Sequence, residues 1–131
     1  MWKSLIERIG AEIADREIVR EKNSSPFARA YAQSRLLSIG AESLVERLNS
    51  KWKSPADEIS DHVKEVRSRA RRLFWLAKSI DWAPDALDAE IARSQRAVNQ
   101  AIYGANSLAG DDRIVLLKIE RRLARLRVDL A

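Results

Sequence analysis

The chain has 131 residues, no cysteine, and 24 Lys+Arg against 19 Asp+Glu, for a formal net charge of +5. That length matches one domain able to bury a core without staples, and the missing cysteine excludes disulfides and thiolate chemistry. Because 33% of the residues are charged with both signs mixed, the surplus of positive charge favours nucleic acid only weakly. Glu7, Glu12 and Asp15 interrupt any signal-peptide core. The longest unbroken apolar run, 73–77, is far short of the roughly 20 residues of a membrane span. The expectation is a soluble cytoplasmic protein with no membrane partner.

The first predicted helix covers 2–22. Its stripe of Trp2, Leu5, Ile6, Ile9 and Ile13 gives way to Arg16 and Arg20 on the same face, so this helix bends or meets two surfaces. Asn23-Ser24-Ser25-Pro26 is a stop and a restart, with Ser25 as N-cap and Pro26 at the first helical position, where its missing N–H costs nothing. The next helix covers 26–51 on the ladder Phe27, Ala30, Ser34, Leu37, Ala41, Leu44, Leu48. Such 3-4 spacing keeps one stripe of a helix facing a neighbour. Ser54-Pro55-Ala56-Asp57-Glu58 repeats the restart, with Ser54 as the cap and two carboxylates at the positive helix end. The helix over 55–80 follows, on Ile59, Val63, Val66, Ala70, Leu73, Ala77 and Ile80.

Pro84 disfavours helix at Ala83 and opens a fourth helix, on Leu87, Ile91, Ser94, Val98, Ala101, Ala105 and Leu108. Gly104 and Gly110 compete to end it. Asp111 or Asp112 then caps a last helix on Leu116, Ile119, Leu123, Leu126 and Leu130. Short loops make consecutive helices antiparallel. The predicted fold is an all-α, five-helix up-and-down antiparallel bundle with heptad-like seams. It forms a single domain over 1–131, in which the N-terminal helix, within 1–23, is able to pack separately.

Catalytic motifs are missing. His62 is the only histidine and lies between Glu58 and Glu65. Helical di-iron sites need Glu-x-x-His motifs with further inward-facing carboxylates, and neither occurs, so His62 reads as a solvated flank residue. The paired acids Asp57/Glu58, Asp85/Asp88 and Asp111/Asp112 fall at helix starts, where the helix dipole favours them without any acid–base role. No catalytic residue, metal or cofactor is expected, and the chain reads as a non-enzyme.

Two basic stripes remain. Lys64, Arg67, Arg71 and Lys78 share one side of the third predicted helix, with Trp75 four residues after Arg71. Lys118, Arg121, Arg122 and Arg125 form the other stripe on the last helix, where Ile114, Leu117, Ala124 and Val128 lie away from the main seam. Helix dipoles explain much of this pattern, since acids precede bases in both helices. The functional reading is an adaptor, inhibitor or small subunit docking on a larger protein or nucleoprotein complex. Trp75 would be the anchor, Arg67, Arg71 and Lys78 the clamp, and Lys118, Arg121, Arg122 and Arg125 a second contact line. The rival is sequence-neutral binding of a DNA or RNA backbone, favoured if the two basic helices lie side by side. A homodimer is a third arrangement that the apolar faces permit.

Overall fold

The computed structural model describes residues 25–50, 54–80, 83–103 and 108–131. They form four helices and no strand: α1 (Pro26–Asn49), α2 (Ala56–Ala77), α3 (Asp85–Tyr103) and α4 (Gly110–Leu130). The all-helical expectation stands, but the five-helix count is corrected to four helices among the described residues. The helix predicted over 2–22 lies outside those residues, as do Trp2, Trp52 and Trp82.

Local chemistry sets the helix starts. Ser25 caps α1: its Oγ accepts from the Ala28 N–H at 3.1 Å, with Pro26 at the helix entrance. The other predicted caps are displaced. Pro55, not Ser54, is the N-cap of α2, and Ala109 that of α4, neither with a side-chain cap bond. Asp111 and Asp112 instead sit inside the first turn of α4, where their charge meets the positive helix end directly.

The helices alternate in direction, but their spatial order differs from their chain order. Arg47 near the end of α1 pairs with Glu58 at the start of α2, so these two are antiparallel. Asp88 in the first turn of α3 pairs with Arg127 in the last turn of α4, so these are antiparallel too. Ser60 early in α2 donates to Asp112 early in α4 at 3.4 Å, so α2 and α4 run parallel. By the same alternation α1 and α3 are parallel. Among the described residues α2 does not pack on α3, nor α1 on α4. The order around the bundle is therefore α1, α2, α4, α3.

This corrects the up-and-down expectation, in which consecutive helices are neighbours. A square with sides of about 8–10 Å has a diagonal of about 11–14 Å, and a seven-residue connection reaches about 23 Å. The connection over 78–84 is thus long enough to cross the diagonal. Short loops dictate direction, not which neighbour a helix takes.

Buried serines choose the neighbour. Ser34, Ser38 and Ser94 are all buried. The Ser38 and Ser94 hydroxyls lie 2.6 Å apart, and each is 3.1 Å from the Ser34 carbonyl oxygen. Each of the two hydroxyls also has a carbonyl one turn back in its own helix, Ser34 for Ser38 and Glu90 for Ser94, both at 3.1 Å. The pairing of α1 with α3 therefore adds a direct bond between the helices, where two small side chains let them approach closely. Glu42 adds a two-point grip on Arg93, with Nε–Oε1 at 2.8 Å and Nη2–Oε2 at 3.2 Å. Around this contact Leu37, Leu44, Val66, Leu73, Ile91 and Leu123 form the sealed core. Full burial of each such side chain is worth about 1.5–3 kcal/mol.

Packing around α1 sets two opposite outcomes. A Cβ on Gly40 would meet Val66 Cγ2 at an ordinary 3.7 Å, so Gly40→Ala raises stability by about 0.5–1 kcal/mol. Ser94→Leu forces bulk between α1 and α3 and costs about 1–3 kcal/mol. Chemical denaturation midpoints of the two variants move in opposite directions; a shared direction contradicts the packing.

A pH-dependent outcome concerns Asp88, whose carboxyl is held below the usual range by hydrogen bonds from Arg127 and then by its charge. A depressed carboxylate stabilises the fold above its unfolded pKa, about 3.9, and loses that effect as pH falls through its lower folded value. Asp88→Asn therefore costs no more than about 1 kcal/mol at neutral pH, as befits a half-exposed pair. The gap to wild type closes on acidification below the ordinary carboxylate range. A gap constant with pH in the same denaturation series contradicts the pairing.

Candidate docking groove

The basic stripes of α2 and α4 meet. Arg67 and Arg71 of α2 face Lys118, Arg121 and Arg122 of α4 around a depression of about 490 Å³, floored by Ala70, Phe74, Val115 and Ile119. A second depression, of about 540 Å³, continues it toward the helix C-termini. There Lys78, Arg122 and Arg125 surround Phe74, Ala77, Ile80, Leu126 and Leu130, and Asp129 contributes a carboxylate. Phe74 and Arg122 belong to both. Seven of the eight residues singled out in the sequence thus line one continuous groove. It exists because α2 and α4 are parallel neighbours.

Trp75 is the exception. It is 67% exposed and lines neither depression, standing on the outer side of α2 one turn beyond Arg71. The groove's aromatic residue is Phe74, only 7% exposed, with the Arg122 guanidinium 4.5 Å above its ring. Helical spacing alone does not mark this floor. Its one signal was the apolar run 73–76, which leaves Phe74 off the centre of the main ladder.

The groove cations are not tied up in ion pairs with other described residues. The acids that pair do so elsewhere: Glu58 with Arg47, Glu65 with Arg69, Glu42 with Arg93, and Asp88 with Arg127. Among the described residues, Arg67, Arg71, Lys78, Lys118, Arg121, Arg122 and Arg125 make no ion pair. The helix dipole accounts for few of them, because it acts only in the terminal turns. The last turn of α2 holds no basic residue, and that of α4 holds only Arg127. Lys78, at the C-cap of α2, is the one groove cation well placed for that effect.

Like charges also stand one turn apart, at Arg67/Arg71, Lys118/Arg122 and Arg121/Arg125. Each such pair costs about 0.2–0.5 kcal/mol. The folded chain therefore holds concentrated positive charge over apolar surface, an arrangement that opposes its own stability.

Groups suited to other chemistry do not converge. Among the described residues no three His, Cys, Asp or Glu side chains gather to hold a metal ion. His62 is half-buried on α2. Asp57, Glu58, Asp85, Asp88, Asp111 and Asp112 occupy first turns. No helix among the described residues is long and apolar enough to cross a membrane. Comparison with protein-family models, with curated proteins and with solved structures gives no match.

The groove makes its own stability forecast. Arg121→Gln relieves repulsion and leaves stability unchanged or higher by a few tenths of a kcal/mol. Arg122→Gln removes the contact with Phe74 and lowers it by about 0.5–1 kcal/mol. Thermal or denaturant unfolding at low salt distinguishes the two. An equal loss for both means that the cations are held internally after all.

Proposed function

We propose that this chain is a non-enzymatic interaction protein. It works as an adaptor, inhibitor or small subunit that docks on a larger protein or nucleoprotein complex, in the cytoplasm, whose reducing conditions suit a chain without cysteine. Its α2/α4 groove receives an acidic, partly apolar segment of the partner. Arg67, Arg71 and Lys78 clamp that segment from one wall, and Lys118, Arg121, Arg122 and Arg125 from the other. Trp75 gives an anchor on the outer flank, since exposed tryptophan beside arginine is typical of interface hot spots.

One observation carries this reading: seven cations that make no ion pair among the described residues line one groove, five of them around Ala70, Phe74, Val115 and Ile119, with Lys78 and Arg125 continuing the line past Ala77 and Leu126. Carboxylates satisfy the rims, and only a ligand with apolar side chains also uses the floor. A nucleic-acid backbone would engage the cations but leave the floor without a partner. The face of Phe74 is already covered by Arg122, so it offers no stacking platform of the kind that single strands exploit.

The test compares three probes of similar negative charge over a range of salt: an acidic amphipathic peptide, oligoglutamate, and a short DNA in single- and double-stranded form. The amphipathic peptide binds at least tenfold tighter than oligoglutamate, and the double variant Arg67→Glu/Lys118→Glu weakens it at least tenfold. DNA binding tighter than the peptide, with a steep salt dependence that flattens in Arg71→Ala, overturns protein docking in favour of a nucleic-acid backbone. No binding by any probe at low salt removes both readings.

A further inference from the structure

The helix α4 has a second face, outside the groove floor, on which Leu117 packs at the edge of the core and Arg121 borders the groove. Ile114, Leu117, Arg121, Ala124 and Val128 follow one another at intervals of three, four, three and four residues. Ile114 is 52% and Val128 75% exposed, while Leu117 and Ala124 are half-buried. The opposite ladder of α4, built on Leu116, Ile119 and Leu123, is buried. So α4 carries two seams, and among the described residues only one is fully covered.

We propose that the outer seam of α4 is a second docking face. It takes one amphipathic helix of a partner protein, with a carboxylate at the position that meets Arg121. The occupant is a helix because a 3-4 repeat runs nearly along the axis and is matched by the same repeat on a second helix. From Ile114 to Val128 the seam is about 21 Å long at 1.5 Å per residue, four turns of contact. The partner's charge follows from Arg121, which stands in the register of the seam at its midpoint and has no ion partner among the described residues.

The same residue argues against a second copy of this chain. Two copies pairing along the seam, parallel or antiparallel about its centre, bring Arg121 against Arg121, and a polar residue at a seam position governs partner choice in this way. Ala124 and Val128 also border a depression shared with Asp85 and Asp88 of α3. The Asp88 carboxylate is engaged by Arg127, so at the middle of the seam the unmatched charge is positive. Arg121 is shared with the groove wall, so it is Ile114 and Val128, which line neither groove depression, that separate the seam from the groove.

The probe is a synthetic 21-residue amphipathic helix with leucines in 3-4 spacing and one Glu at its central seam position, set against a twin with Lys there. The Glu peptide binds at least tenfold tighter than the Lys peptide, and Arg121→Glu reverses that preference. In the Arg67→Glu/Lys118→Glu background, where the groove no longer captures acidic peptides, binding of the Glu peptide persists, and Val128→Asp and Ile114→Asp, at exposed positions that folding tolerates, each reduce it at least tenfold. Arg121→Leu, which completes an apolar seam, converts a monomer into a concentration-dependent dimer in sedimentation. Equal binding of the two peptides overturns the proposal, as does binding lost in the Arg67→Glu/Lys118→Glu background but retained in Val128→Asp. A wild-type dimer broken by Val128→Asp also overturns it, because a second copy is then the occupant.

Discussion

The contact of Ser38 with Ser94, over the Ser34 carbonyl, decides how the rest of the molecule is arranged. Ser38 and Ser94 each have a carbonyl acceptor one turn back in their own helix, so their mutual contact is an additional bond between helices, worth about 0.5–1.5 kcal/mol. These serines find each other only when α3 lies against α1. Their small size lets the two helices approach closely, and Glu42 with Arg93 holds the outer edge of the pair. Once α1 has α2 on one side and α3 on the other, α4 closes the square between α2 and α3. The basic faces of α2 and α4, 40 or more residues apart in the chain, become opposite walls of one groove.

Charge is distributed unevenly over this frame. The carboxylates of Glu42, Glu58 and Asp88 tie helices to one another or steady helix ends. The groove between α2 and α4 has Asp129 as the lone carboxylate in its lining. A bundle held together by leucine ladders has no structural need for like charges one turn apart along a groove between two helices. Local repulsion that persists beside well-paired ions elsewhere is what supports the proposal of a docking role for this groove.

The sequence shows the helices plainly and their neighbours poorly. The ladders of α1 to α4 were readable because heptad spacing is a property of each helix alone, and so was the Ser25–Pro26 start. The order around the bundle was not. Each ladder is compatible with any facing ladder, and the deciding contact joins Ser38 to a residue 56 positions away. Both basic stripes were visible, since residues three and four apart share a helical face, but their merging depends on that hidden order. Phe74 is not legible as groove floor because its partner Arg122 lies on another helix, whereas the exposed Trp75 stands out from its helical position alone. The predicted caps Ser54 and Asp111 or Asp112 failed for a smaller reason. Pro55 and Ala109 already adopt the extended backbone that ends a loop, so the helices start without a side-chain cap.

The account rests on α2 and α4 being neighbours, and a chain without cysteine allows a clean measurement. With Arg67→Cys and Lys118→Cys placed on opposite walls of the groove, a short bifunctional maleimide is predicted to join them within one chain rapidly and in high yield. The pair Arg67→Cys and Asn99→Cys, which reports contact between α2 and α3, is predicted to stay unlinked. The opposite pattern would place consecutive helices side by side and dissolve the groove.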